Sequence, residues 1–280
     1  MIPAEFDYVV AGSVDEAIGL LSDGGEDAKL LAGGHSLLPL MKLRFAAPSL
    51  LVDISRIEEL RGVQTGGDSV RIGALTRHAD LQERDDLGLI ATAAKQIADQ
   101  QVRNRGTIGG SLANGDTAAD LPGVLLALEG SVIVRSASGE REIAAADLFQ
   151  GYLSTAIEPG EVLTEVRIPA LAGYGFGYEK FNRRSEDWAM VGVSALVKAT
   201  DGVCEDVRIA LTHMASTPLR ATASEDALRG QPLNEESIAA AAQLAAEGTS
   251  PLSDLNASPE YKRHLARVLT KRALTTASAA

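Results

Sequence analysis

Two glycine-paired loops, roughly 70 residues apart, constrain this chain more than any other feature: Ala32-Gly33-Gly34-His35-Ser36 and Thr107-Ile108-Gly109-Gly110-Ser111. Adjacent glycines let the backbone reach positive φ and remove the Cβ atoms that would hold a ligand away from the main chain. Their N–H groups can then converge on an anion, with Ser and Thr hydroxyls as further donors. A single Gly-Gly pair is ordinary turn punctuation. Two in one domain point to a ligand with two phosphates, for which a dinucleotide cofactor is the natural candidate.

The surroundings sharpen this reading. The first loop lies in Lys29-Leu30-Leu31-Ala32-Gly33-Gly34-His35-Ser36-Leu37-Leu38-Pro39-Leu40-Met41-Lys42, an apolar strand that enters a turn and leaves as a helix. The second opens the run Thr107-Ile108-Gly109-Gly110-Ser111-Leu112-Ala113-Asn114-Gly115-Asp116-Thr117-Ala118-Ala119-Asp120-Leu121-Pro122. Both stretches closely resemble the FAD-binding medium subunit of the molybdenum hydroxylases, the family of carbon monoxide dehydrogenase and xanthine dehydrogenase. The resemblance runs essentially end to end. It implies an α+β chain: a two-part FAD-binding domain of the vanillyl-alcohol-oxidase/p-cresol-methylhydroxylase type, then a smaller α+β domain whose sheet is covered by helices on one face. The expected units are residues 1–57, 58–172 and 173–280.

The resemblance also implies a set of cofactor contacts. These are Leu30, Leu31, Ala32, Gly33, Gly34, His35 and Ser36 in the first loop, and Thr107, Ile108, Gly109, Gly110 and Ser111 in the second. Asp120 matches a family carboxylate that approaches FAD, and a carboxylate accepting hydroxyl hydrogen bonds suits a ribose or ribityl chain. Asp116 is the alternative, with one of the two capping the helix near Leu121. The family often has His-Gly-Asp-Pro where this chain has Asn114-Gly115-Asp116-Thr117. Leu163 aligns with an apolar residue against the flavin. In Tyr178-Glu179-Lys180-Phe181-Asn182-Arg183-Arg184, Lys180 is the choice for a cation that stabilises the reduced ring, with Arg183 the other candidate. Trp188 either stacks near the ring or packs in the core.

Composition narrows the function. The net charge of −12, with no basic stripe, argues against nucleic acid. The single cysteine, Cys204, permits neither an intrachain disulfide nor a Cys-ligated cluster. His35, His78, His213 and His264 have no metal-ligand spacing and read as structural. No apolar run approaches a membrane span and no signal peptide opens the chain, so a cytoplasmic location is expected. The start Gly173-Tyr174-Gly175 lacks the third glycine and the strand–turn–helix frame of a Rossmann fingerprint.

No acid–base pair or nucleophile stands out. The reading is therefore an electron-transfer flavoprotein subunit that passes electrons from iron–sulfur clusters on a small partner, fed by a large molybdenum-cofactor partner, through FAD to NAD, a quinone or oxygen. The alternative is a free-standing FAD enzyme of the same fold, for which His35 is the one histidine near a glycine loop. Alone, the subunit is expected to be a monomer without metal.

Among local elements, Ser13 and Glu16 form a capping box that opens a helix. Periodicity predicts one helix over 87–101, and hairpins about Ser138-Gly139 and Asp201-Gly202. The glycine- and aromatic-rich stretch 170–178 reads as a boundary, three plain amphipathic helices are expected in the last third, and 275–280 is expected to fray.

Overall fold

Ser13 starts the first helix, Val14–Gly24, by accepting from the Glu16 amide. The Glu16 carboxylate reaches one residue further back than a regular capping box, accepting from the Gly12 amide at 2.7 Å. Val14, Ala17, Ile18 and Leu21 are the buried face of this helix. It covers a three-stranded parallel sheet in which Leu50–Asp53 lies between Asp7–Val10 and Ala28–Leu31. The computed structural model describes residues 2–279.

The second sheet is antiparallel throughout. Its order is Val63–Gly66, Ser69–Gly73, Val162–Pro169, Ser131–Ser136, Gly139–Ala144. The central strand, Val162–Pro169, shifts register between Leu163 and Glu165. Such a bulge re-aims a side chain, and here Leu163 lies on the wall of a cleft. The 87–101 segment is not one helix. It divides into the turn Asp85–Leu87, the helix Leu89–Lys95 and the short helix Gln100–Arg103. Ala98 takes a left-handed φ of 41°, and Asp99 starts the new turn by accepting from the Val102 amide at 2.9 Å.

The third sheet runs Tyr174–Phe181, Val191–Thr200, Val203–Thr212, Leu219–Arg220. Asp201 and Gly202 both have positive φ, as a two-residue hairpin turn requires. The stretch 170–178 is thus partly a strand, Tyr174–Phe181, and its Gly177 answers to packing. A Cβ on Gly177 would sit 2.2 Å from the Ala273 carbonyl oxygen of the C-terminal helix, Pro259–Ser278. That helix continues through the region expected to fray, with Ala277 buried; Ala280 lies outside the described residues.

Helices Thr222–Leu228, Glu235–Gln243 and Pro259–Ser278 cover one face of this sheet, over Val193, Val197, Ile209 and Leu211. The other face is not open. Tyr178, Leu196 and Ala210 join the core of the preceding domain. Helix Asp120–Ala127, buried along its whole length, fills the space between the two sheets. Gly123 allows the approach, since a Cβ there would lie 2.4 Å from Thr212 Oγ1.

Candidate cofactor-binding site

The two glycine loops are brought side by side. A Cβ on Gly33 would stand 2.3 Å from the Arg105 carbonyl oxygen, just ahead of the second loop. Gly34 needs its freedom for a different reason, a φ of 75°. Between the loops opens a cleft of about 540 Å³, within the range of small-molecule and cofactor sites. All the sequence-predicted contacts line it except Ile108. The Ile108 side chain is instead buried in the core of the second sheet.

The loops offer different chemistry. In the first, the amides of Gly33, Gly34, His35, Ser36 and Leu37 donate to no protein acceptor among the described residues. Five consecutive free N–H groups on a concave wall form an anion cradle. The second loop is not a second cradle. Ile108 donates to the Thr76 carbonyl, Gly109 to the Ala74 carbonyl at 2.9 Å, Gly110 to Thr107 Oγ1 at 3.2 Å and Ser111 to the Thr107 carbonyl. Thr107 is the N-cap of helix Ile108–Asn114, so capping and the first helical turn consume the Gly110 and Ser111 donors, and the Thr76 and Ala74 carbonyls take the other two. The glycines here serve shape: a Cβ on Gly109 would meet the Ala74 Cβ at 2.6 Å and its carbonyl oxygen at 2.8 Å, and Gly110 leaves the wall flat.

At another part of the cleft lies a buried ion pair. Lys180 Nζ donates to Asp120 Oδ2 and to the Gln96 carbonyl, each at 3.0 Å. Tyr178 donates its hydroxyl to Asp120 Oδ1. Burial raises the Asp120 carboxyl despite the opposing Lys180 charge and its two hydrogen bonds, and burial beside Asp120 drives the Tyr178 phenol well above its usual range. Asp116 does not line the cleft. It accepts from the Ala118 amide at 2.9 Å, a turn-forming role. Arg183 is likewise off this wall, whereas Trp188 is on it and 56% exposed, so core packing does not account for the tryptophan.

Sequence reasoning missed His78. It is buried on the cleft wall, Nδ1 has no partner, and burial, with the His35 and Arg103 charges, lowers its pKa to about 4. Gly106 packs on the ring: a Cβ there would lie 2.7 Å from His78 Cδ2. Ile97, Ala98 and Val102 also reach the wall, through the helix break at Ala98. No pattern in the sequence marks His78. Asp99, a typical N-cap residue, could have revealed the break.

Family comparison identifies the cofactor. Residues 4–171 match the model of the FAD binding domain in molybdopterin dehydrogenase, and residues 176–277 match the CO dehydrogenase flavoprotein C-terminal domain. The chain belongs to the FAD-binding medium subunits of the molybdenum hydroxylases. It is 45% identical to the carbon monoxide dehydrogenase medium chain of Hydrogenophaga pseudoflava, covering 99% of this chain and 98% of that one. The solved carbon monoxide dehydrogenase from that organism superposes with a TM-score of 0.96 at 46% identity, over 100% of this chain and 99% of the other. The xanthine dehydrogenase FAD-binding subunit of Escherichia coli O157:H7 is 30% identical, over 98% of this chain and 96% of that one.

The cofactor of this medium subunit is FAD, and the residues present fit it. The unpaired amides of the first loop suit a pyrophosphate, and Leu30, Leu31, Ile54, Leu75 and Leu163 supply apolar wall for ring systems. Among the described residues, no helix is long and apolar enough to cross a membrane.

Proposed function

We propose that this oxidoreductase subunit carries electrons from iron–sulfur clusters on a small partner to an acceptor (NAD, a quinone or oxygen), and that a large partner with the molybdenum cofactor supplies them. The observation that carries this reading is one cleft with free amide donors at the first loop and the buried Lys180–Asp120 pair elsewhere on its wall. FAD, when bound, accepts and releases electrons singly or in pairs. The chain's own residues do the rest.

The amides of Gly33 to Leu37 hold the phosphates, helped by the Thr107 and Ser111 hydroxyls. Leu163, lifted by its bulge, bears on the ring. Lys180 supplies positive charge fixed by Asp120 and the Gln96 carbonyl, so it cannot swing into solvent; a fixed cation favours the reduced, more negative cofactor. One cysteine cannot ligate an iron–sulfur cluster, so those thiolates belong to another chain.

The test is to mix the FAD-loaded chain with a prereduced iron–sulfur partner and follow the visible flavin band. The band is expected to bleach, with acid precipitation releasing the colour into the supernatant. A flavin that stays oxidised while the partner remains reduced would overturn the reading.

A further inference from the structure

We propose that His78 is a further cofactor-binding residue, whose imidazole takes up a proton from solvent as the diphosphate of FAD settles in the first-loop cradle and then holds that anion as the imidazolium. The inference rests on FAD occupying the cleft between the two glycine loops. The His78 ring lies on the cleft wall, only 5% exposed, and its Nδ1 is buried without a hydrogen-bond partner. Buried polar groups are ordinarily satisfied within the fold. One left unsatisfied on the wall of a binding cleft is available to what binds there.

Packing brings this ring up to the cradle. Gly106 lies between them: a Cβ on Gly33 would stand 3.0 Å from the Gly106 Cα, and a Cβ on Gly106 would stand 2.7 Å from His78 Cδ2 and 2.9 Å from Nε2. Neither glycine places a side chain between the first cradle residue and the imidazole. The ring is anchored from its own backbone, since His78 opens helix His78–Gln82 and its amide donates to the Gly106 carbonyl at 3.0 Å. His35, within the cradle, has Nδ1 paired with the Gly33 carbonyl at 3.0 Å and is close enough to repel a charge on His78.

The ring stands among cations and lacks a counter-ion. The charged groups that act on it are His35, when protonated, and Arg103, whose guanidinium is fixed by the Ile97 and Ala98 carbonyls at 2.7 and 3.0 Å. On its own helix, Asp80 accepts from the Arg77 amide at 3.2 Å. The carboxylates of the cleft wall are engaged with other groups: Asp120 with Lys180, Glu161 with Arg141, Glu186 with the Ser185 hydroxyl and Asp187 with the Arg184 amide. None of them acts on His78. Without an anion beside it, the ring is kept neutral by burial and by these two cations. A diphosphate on the neighbouring amides supplies the missing opposite charge, and in a low-dielectric site that favours the protonated form.

The experiment titrates FAD into the full-length apo chain by calorimetry at pH 6, in buffers of different ionisation heat, so that proton uptake is read apart from affinity. Uptake of about one proton per FAD is expected, and affinity should rise about tenfold from pH 6 to pH 5, the linkage for one proton drawn onto the site. The ring-nitrogen NMR resonances of His78 should move to the imidazolium pattern as FAD is added. His78→Gln should bind FAD without uptake and with a flat pH profile, whereas His35→Asn, which removes the other imidazole near the cradle, should keep the uptake. No uptake by the parent chain, or uptake that survives His78→Gln, would overturn the proposal. If His78→Gln does not fold, the His78 resonances of the parent chain decide it, and a ring that stays neutral with FAD bound refutes it. A Gly110→Val chain that still binds FAD with full uptake would move the cofactor out of this cleft and remove the proposal with it. Failure of the electron-transfer reading is a separate result: flavin not reduced by the iron–sulfur partner, whatever protons FAD binding draws in.

Discussion

Lys180 Nζ and Asp120 Oδ2 stand 3.0 Å apart although 60 positions separate them in the chain, and both side chains are buried. The pair fastens the third sheet to the first residue of the helix that lies beneath it. It also places both charges on the cofactor cleft. On the function proposed above, structure and redox tuning share the same two residues.

Removing one partner strands the other. Lys180→Met should destabilise the chain by about 3–5 kcal/mol, because an uncompensated carboxylate stays buried. Lys180→Met/Asp120→Asn should recover much of that loss. Urea unfolding of both variants and a double-mutant cycle measure it; additive losses would show that the pair is not coupled. The flavin potential should fall in Lys180→Met, since the fixed cation is gone.

The two glycines of the second loop should behave differently. Gly110 borders the cleft, where an added side chain meets Thr107 Oγ1 at 2.8 Å and otherwise mainly cofactor space. Gly110→Val should lose FAD while the apo fold drops by only about 1 kcal/mol, the value of the Thr107 cap. Gly109→Ala drives a methyl against the Ala74 backbone and should lower the melting temperature of the apo chain as well. Flavin occupancy and thermal unfolding, measured together, separate the cases. A fully yellow Gly110→Val protein contradicts the placement of FAD.

His78 makes stability depend on mild acid. Its pKa falls from 6.5 to about 4 on folding, chiefly through burial. Above pH 6.5 neither state binds the proton; between 6.5 and about 4 the unfolded chain alone does, so stability declines as pH falls through that window. The full loss is about 3 kcal/mol at 1.36 kcal/mol per pKa unit. His78→Gln should flatten this acid limb in urea titrations run from neutral pH to about 5. Superimposable limbs would show that His78 does not titrate in this way.

A more acidic limb belongs to Asp254. Burial opposes its ionisation, but hydrogen bonds from Lys262 and from the Asn256 and Ala257 amides prevail and hold its carboxyl at about 2, below 3.8. The stability this contributes is present above 3.8 and disappears as pH falls through about 2. Asp254→Asn should destabilise the chain at neutral pH, leaving Lys262 buried beside neutral groups, and the gap from the parent should narrow toward pH 2. Calorimetry across that range checks it; a constant gap contradicts the assignment.

Much of this architecture can be read in residue order. The Gly33-Gly34 and Gly109-Gly110 pairs, the Ser13 cap and the Asp201-Gly202 turn act locally, and local chemistry leaves local marks. Lys180 and Asp120 were legible through family resemblance, not through spacing. The remainder depended on contacts between distant segments. Gly177 looks like loop punctuation until Ala273 packs against it. The last helix shows a plain amphipathic stripe, yet Lys262 on it is fully buried because Asp254 and His213 come to meet it. The second loop's amides seemed free because a cap by Thr107 and acceptors at Ala74 and Thr76 are invisible from a Gly-Gly pair alone.

The closeness of Gly33 to the Arg105 carbonyl sets an order of events in biogenesis. A nascent chain that has emerged only through its first parallel sheet possesses the anion-holding turn but not the opposite wall. Residues near 105 must leave the ribosome and settle against Gly33 before the cleft closes around anything. With FAD placed as proposed, cofactor capture should be a late step that reports completed docking of the N-terminal sheet. Once FAD is in place, mass action holds those two parts together in proportion to the cofactor supply. A cell short of flavin should accumulate this subunit in its loosest, most protease-sensitive form.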